Sequence, residues 1–197
     1  MTHLQKITIL LIFISLTSCK KNEDEYIFEE NRFENLESLK LEKAIQTEHE
    51  IGSKERTYNN TFELGNSYYR NVNNYILSYP KVYERNQKDL KLETDYFCTR
   101  NDSMMKVIFY EWSLKTDTVR TLKTSEVKAF ENKLKNLQNL ISSKLGKPKS
   151  TEIEKRKDTC YNYTDRFKWL ENNLAADIYY DVSRSGFRSI RLVVYRK

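Results

Sequence analysis

Histidine is scarce in this sequence, and its scarcity restricts the chemistry that the chain can perform. Of 197 residues only two are histidine, His3 and His49. His3 precedes an apolar run, and His49 lies between Glu48 and Glu50, where we expect a solvated surface position. A Ser-His-Asp or Cys-His triad would have to use His49. The chain also lacks HExxH, GxSxG, Walker and GxGxxG motifs, so the usual zinc, hydrolase and nucleotide sites are not indicated.

Glycine and proline are also rare, at four and two residues. A chain so poor in both is not expected to be loop-rich or disordered. No internal repeat is visible in the sequence. The roughly 165 residues that follow the N-terminal region suit one domain of ordinary size. We place this single domain at residues 31–197.

Long apolar runs are absent apart from one near the N-terminus, at Ile7–Leu16. A run of this length forms about 15 Å of helix, which is too short to cross a hydrocarbon core of roughly 30 Å. A short polar start with Lys6 precedes it, and the small residues Thr17 and Ser18 follow. This order is typical of an export signal that is removed from the mature protein, so we interpret residues 1–18 as a signal peptide.

The end of this signal has the order aliphatic, small, small, cysteine, at Leu16-Thr17-Ser18-Cys19. The segment resembles the bacterial lipobox, whose cysteine receives a diacylglyceryl group and, after cleavage, is usually acylated at its new amino terminus. The resemblance implies a lipoprotein anchored through Cys19; the alternative is an ordinary secretory signal that ends by chance at a cysteine. Two or three long acyl chains, such as palmitate, would make the attachment effectively permanent.

The residues after the anchor combine lysine with acidic side chains, from Lys20 to Glu25. This cluster resembles the signal that sends some Bacteroidota lipoproteins to the outer face of the outer membrane. The resemblance implies an outer-membrane location with the domain at the cell surface; a domain that faces the periplasm is the alternative. The same composition predicts a solvated, flexible tether, so residues 19–30 are interpreted as the lipidated cysteine and its tether.

Basic residues exceed acidic ones, at 34 against 28. In a cytosolic protein this excess would indicate a nucleic-acid partner. An exported chain does not meet nucleic acid, and we expect no such partner. The basic residues after Lys144 then solvate a sheet or contact anionic headgroups or polysaccharide.

Three cysteines are present, and lipidation of Cys19 would leave Cys98 and Cys160. In an oxidising envelope these two residues are candidates for a disulfide. Two separate buried thiols are the alternative. Neither residue lies in a CxxC motif, so we expect no zinc site, no other metal and no cofactor.

Three stretches have helical periodicity. The clearest is Glu126–Leu145, where apolar residues recur at spacings of three and four and Gly146 offers a stop. Residues 31–51 and 64–79 carry similar stripes, and Pro80 would end the second of these.

Alternation with period two replaces the helical pattern in most other segments. We predict strands at residues 90–98, 104–112, 116–123, 158–163, 167–170, 176–182 and 187–195. Neighbouring strands joined by short turns pair antiparallel. The predicted fold class is α+β, with an antiparallel sheet, helices packed mainly on one face and one or two N-terminal helices before it.

Tyrosine and asparagine are concentrated between residues 58 and 79. Tyrosine offers apolar area and a hydroxyl at low entropic cost, so such a surface can bind a protein or stack on a sugar. The candidate binding face consists of four residues, Tyr58, Asn60, Tyr69 and Asn73. The alternative is that the aromatic residues form the buried stripe of the second helix, which would contain Tyr68, Val72, Tyr75 and Tyr79.

Two short motifs resemble the O-glycosylation acceptor of Bacteroidota, Asp102-Ser103-Met104 and Asp117-Thr118-Val119. The resemblance implies that Ser103 and Thr118 are candidate modified residues.

Asp177 and Asp181 lie four residues apart on a predicted strand and share a face. Paired carboxylates can hydrolyse glycosides or bind calcium. Their alternation with apolar residues instead favours a solvent-facing position, and we assign no catalytic residue.

These observations favour a lipid-anchored cell-envelope protein that binds an unknown protein or glycan without catalysis. An inhibitor or immunity protein against a secreted toxin or hydrolase is one alternative, because small exported lipoproteins can have that role. A carboxylate-dependent hydrolase is a further alternative.

Overall fold

The structure is a computed structural model. It describes residues 24–57, 64, 75–116, 122–154, 162–183 and 185–197. These residues form an eight-stranded sheet and two α-helices, so the architecture is α+β. No helix in the described ranges is both long enough and apolar enough to cross a membrane.

The sheet is antiparallel throughout its described pairs, in the order β1-β2-β3-β4-β8-β7-β6-β5. Its strands are β1 (Lys54–Arg56), β2 (Lys81–Asn86), β3 (Lys91–Cys98), β4 (Met105–Ser113), β5 (Ser150–Glu152), β6 (Tyr163–Glu171), β7 (Leu174–Val182) and β8 (Arg188–Arg196). The helices are α1 (Leu41–Glu50) and α2 (Thr124–Leu145), and two short 3-10 helices precede them at Glu25–Phe28 and Leu36–Ser38.

Among the described residues, the two halves of the chain show the same order of elements, a helix followed by four antiparallel strands. The first half runs from α1 to β4 and the second from α2 to β8, and β4 pairs with β8 at the centre of the sheet. Leu41 and Thr124 begin the helices, and Met105 and Arg188 begin the last strands. Both separations are about 83 residues, within the usual scatter of element ends. The structure therefore contains an internal repeat that the sequence did not reveal.

The long helix α2 agrees with the helix predicted at Glu126–Leu145. The backbone N–H of Lys123 donates to the Glu126 carboxylate at 2.8 Å, which satisfies a donor before the first turn. Gly146 follows the helix with a φ of 73°, in the left-handed region that favours glycine. The buried side chains of α2 join the main core, and they are Phe130, Leu137, Ile141 and Leu145.

The helix predicted from residue 31 begins later, at Leu41. Lys40 forms a β-bridge with Met104, and the backbone N–H of Met105 donates to the carbonyl of Leu39 at 3.0 Å. Pairing with the chain around β4 therefore holds residues 39 and 40 in an extended conformation, which a continuous helix cannot adopt. The apolar residues before this point are buried through turns and a 3-10 helix instead.

Residues 24–30, which the sequence assigned to a flexible tether, belong to the folded domain. Tyr26, Ile27 and Phe28 lie in a 3-10 helix and are buried in the main core, and Asp24 is fully buried. Burial of one large apolar side chain contributes roughly 1.5–3 kcal/mol. The free energy gained by burying three such side chains in a row favours a folded segment, although the charged composition had predicted a tether. Residues 19–23 lie outside the described ranges.

Candidate functional site

Most residues singled out from the sequence lie outside the described ranges. These are the lipidation site, the four residues of the candidate binding face, one acceptor and one cysteine: Cys19, Tyr58, Asn60, Tyr69, Asn73, Thr118 and Cys160. Cys98 is buried at the end of β3. Its disulfide with Cys160 stays a prediction.

Three large apolar side chains are exposed immediately after the predicted binding region. Tyr75 is 41 % exposed, Ile76 68 % and Tyr79 72 %. We call these three residues the aromatic patch. Large apolar side chains exposed close together in the chain are candidates for an interaction site. Residues 75–79 were expected at the end of a helix, but the structure gives them no helical turn.

The main chain of the aromatic patch is fixed along the end of β3. The N–H of Ser78 donates to the carbonyl of Cys98 at 2.9 Å, and the N–H of Arg100 donates to the carbonyl of Ile76 at 3.0 Å. Leu77 forms a β-bridge with Thr99 and packs against a buried apolar cluster. Because the backbone is held in place, the exposed side chains are partly preorganised for contact, which lowers the entropic cost of binding.

A cation lies beside the patch. The ammonium of Lys106 is 4.6 Å from the centre of the Tyr75 ring, within the range of a cation–π interaction. This contact orients the Tyr75 ring and adds a positive charge at the border of an apolar surface.

The β3–β4 turn lies next to the patch and contains Ser103. The Thr99 hydroxyl donates to the Asp102 carboxylate, and the Met104 N–H donates to the same carboxylate at 3.1 Å. These two hydrogen bonds lower the pKa of Asp102. Ser103 has a φ of 55° in this turn. Its O-glycosylation stays a prediction.

A row of charged side chains crosses the sheet from β2 to β8. Glu84, Glu93, Glu111 and Arg191 lie directly opposite one another on β2, β3, β4 and β8. Like charges placed opposite each other destabilise a sheet. Here Arg56 pairs with Glu93 at 2.9 Å and with Glu84 at 3.2 Å, while Arg191 pairs with Glu111 at 3.4 Å. We call this row, with Arg56, the charged ladder.

Asp95 lies two residues after Glu93 on β3 and is buried, with 7 % of its surface exposed. Its Oδ1 has no hydrogen-bond partner in the part of the chain that the structure describes. Burial, followed by the charges of Glu93 and Glu111, raises the pKa of Asp95 to about 8, and Arg56 opposes this rise. Asp95 is therefore mainly protonated at neutral pH.

The two carboxylates that the sequence singled out on β7, Asp177 and Asp181, are both in contact with neighbouring side chains. Asp177 was expected to face solvent but is buried and accepts a hydrogen bond from the Tyr195 hydroxyl at 3.3 Å. Asp181 pairs with Arg191 at 3.2 Å and accepts from the Thr164 hydroxyl at 2.7 Å. Within the described ranges no group of three or more His, Cys, Asp or Glu residues is arranged to hold a metal ion.

A pocket of about 390 Å³ lies between α2 and the turn from β2 to β3. We call it the Asp24 pocket. The Asp24 carboxylate accepts from the Lys133 ammonium at 2.7 Å and from the Gln87 amide at 3.0 Å. Gln87 in turn accepts from the Trp112 indole N–H at 2.9 Å. This network fixes the start of the described chain to the sheet and to α2.

Comparison with protein-family models, with curated proteins and with solved structures finds no match to this chain.

Proposed function

We propose that this protein is a lipid-anchored cell-envelope protein whose domain binds a partner through the aromatic patch and catalyses no reaction. The observation that carries the proposal is the exposure of Tyr75, Ile76 and Tyr79 on a main chain held by hydrogen bonds to β3. The anchor is proposed from the lipobox, with Cys19 as the lipidated residue. The candidate binding residues at 58–73 directly precede the patch in the chain.

The partner is proposed to be a protein. Aromatic side chains are enriched at protein interfaces, where a few of them contribute most of the binding energy. Ile76 is aliphatic and 68 % exposed, and it offers neither a ring face nor a hydrogen bond to a sugar. A glycan partner remains the second outcome of the test below.

The location is proposed to be the outer membrane, with the domain at the cell surface, from the Lys20–Glu25 cluster. A domain that faces the periplasm is the alternative. Nucleic acid and cofactors have no part in the proposed function.

An inhibitor or immunity protein is the second candidate function, and the charged ladder favours it. We propose that both helices cover mainly one face of the sheet, because buried residues of α1 and α2 belong to one core cluster. Glu93 and Glu111 are on neighbouring β-strands, at 21 % and 24 % exposure. Charged side chains that are partly exposed can select a specific protein partner by electrostatic complementarity. Inhibition of one toxin or hydrolase by the purified domain would support this candidate.

The hydrolase alternative has less support. Its carboxylates, Asp177 and Asp181, are respectively buried against Tyr195 and paired with Arg191. A catalytic pair needs one carboxyl group free to exchange a proton with substrate. Here both carboxyl groups are engaged in contacts with other side chains.

The patch is tested by replacing Ile76 and Tyr79 with serine in the full lipidated chain. We expect chemical cross-linking in intact cell envelopes to recover the partner at least tenfold less efficiently, because loss of a central aromatic or aliphatic anchor typically costs about 2 kcal/mol or more. Unchanged thermal unfolding would show that the fold is intact.

The matched control replaces Ile153 and Phe187 with serine. These residues are similarly exposed, at 62 % and 47 %, but lie at β5 and before β8. Equal recovery by both double variants would refute the patch as the binding site. Recovery of polysaccharide instead of protein, lost in the Ile76/Tyr79 variant alone, would assign the patch to a glycan.

A further inference from the structure

The start of the folded domain limits how the domain can stand on a membrane. Asp24 is fully buried and bonded to Lys133 and Gln87, so the chain is held in the fold from this residue onward. Asp24 is five positions after Cys19 in the sequence, and five residue steps of extended chain span at most about 18 Å. A lipid on Cys19 would therefore keep the Asp24 pocket within that distance of the headgroups.

The aromatic patch is at the other end of the same strands. The pocket includes Leu90, just before β3, and Leu77 is bridged to Thr99, just after β3. Leu90 and Thr99 are nine positions apart in the sequence, and nine residue steps of extended strand span roughly 30 Å. The short anchor and the patch are thus attached to opposite ends of β2 and β3.

Three exposed lysines surround the pocket end of the sheet. Lys88 lies in the turn from β2 to β3, and the Lys115 ammonium bonds its carbonyl at 2.8 Å. Lys128 is exposed on α2, one residue before Ala129 of the pocket. Their ammonium groups match the phosphates of lipid headgroups. Asp89 and Glu25 are exposed at the same end, so the short connection rather than net charge sets the orientation.

We propose that the pocket end of the sheet, with the turn from β2 to β3 and the adjoining part of α2, rests against lipid headgroups and holds the aromatic patch away from the membrane. This inference rests on the proposed lipid anchor. It gives the exposed Ile76 and Tyr79 a role in contact with a partner rather than in insertion into the bilayer.

The test is amine acylation of the full lipidated protein inserted from outside into phosphatidylethanolamine–phosphatidylglycerol vesicles, read by mass spectrometry. The reference is the Cys19→Ala variant in solution. We expect Lys88, Lys115 and Lys128 to react at least threefold more slowly on vesicles. Lys40 and Lys81, which are exposed towards the patch end, should react at unchanged rates.

The failures of the two proposals are distinguishable. If the protein does not co-sediment with vesicles, the lipid anchor fails. If it co-sediments but the lysines at both ends slow equally, or Lys40 and Lys81 slow more, the proposed orientation is overturned.

Discussion

Arg32→Ala is expected to lower the free energy of unfolding by about 3–5 kcal/mol, because it leaves a buried carboxylate without its cation. Arg32 and Glu48 are each 1 % exposed and lie 3.5 Å apart. Arg32 also donates to the Tyr96 hydroxyl at 2.6 Å, and its guanidinium is 5.2 Å from the centre of the Tyr26 ring. The midpoint temperature of thermal unfolding should fall by roughly 10 °C or more.

The matched control is Lys81→Ala, which removes an exposed ion pair with Glu55. Such pairs contribute about 0–1 kcal/mol. The double variant Arg32→Met, Glu48→Leu should recover much of the loss, since it removes both buried charges. Equal effects of Arg32→Ala and Lys81→Ala on thermal unfolding would show that Arg32 does not fasten the N-terminal segment to the core.

Asp95→Asn is expected to stabilise the protein at pH 7, on the order of 3 kcal/mol. The native carboxyl has a pKa of about 8, whereas that of an unfolded Asp is about 3.9. Folding at pH 7 therefore requires proton uptake by Asp95. The asparagine amide has nearly the same shape as the aspartate carboxyl and needs no proton on folding. The midpoint temperature of thermal unfolding should therefore rise by roughly 5–10 °C.

The sign of the pH dependence follows from the raised pKa of Asp95. Between about pH 4 and pH 8 the folded state binds more protons at this residue than the unfolded state, so stability falls as pH rises across that range. The difference between Asp95→Asn and the native protein should thus be small near pH 4 and largest near pH 8. Thermal unfolding measured from pH 4 to pH 8.5 gives both curves.

Asp102→Asn is the matched control with the opposite sign. Its pKa is lowered by hydrogen bonds from Thr99 and Met104, so its contribution is present at neutral pH and disappears only at acid pH. We expect Asp102→Asn to lose stability at pH 7. If Asp95→Asn also loses stability at pH 7, Asp95 is ionised in the fold and its assignment as a protonated, buried carboxyl is wrong.

The elements with strong periodicity were predictable from the sequence. Helix α2 and strands β3, β4, β7 and β8 lie within two residues of their predicted ends. Helix α2 has apolar residues at spacings of three and four, and the four strands are rich in apolar residues and bounded by short turns. β1 and β5 are three residues long and contain no apolar residue, so no apolar periodicity in the sequence predicts them. These two strands form through backbone pairing with β2 and β6.

Buried charges were the main features that the sequence could not reveal. Asp24, Arg32, Glu48 and Asp95 are all buried, and nothing in the local sequence pattern distinguishes them from solvated charged residues. Their burial depends on partners far along the chain: Asp24 meets Lys133, and Arg32 meets Tyr96. Such pairings are set by the folded topology and leave no local signal.

The candidate site was predictable only in its position along the chain. The sequence marked residues 58–79 as rich in tyrosine and asparagine, but left open whether the aromatic rings are exposed or buried. Tyr79 fitted a helical stripe, yet residues 76–78 pair with the chain at the end of β3, and Tyr79 is 72 % exposed. Ile76 carried no signal, since an isolated isoleucine is normally a core residue.

The mass of the amino-terminal peptide of the mature protein, purified from membranes, tests the lipid anchor most directly. We expect a peptide that begins at Cys19 and carries a diacylglyceryl group on the thiol, usually with an acyl chain on the amino group. The Cys19→Ala variant should lack this mass and leave the membrane fraction. A mature chain that begins elsewhere, or that begins with an unmodified Cys19, would show that the protein is not anchored through a lipid on Cys19.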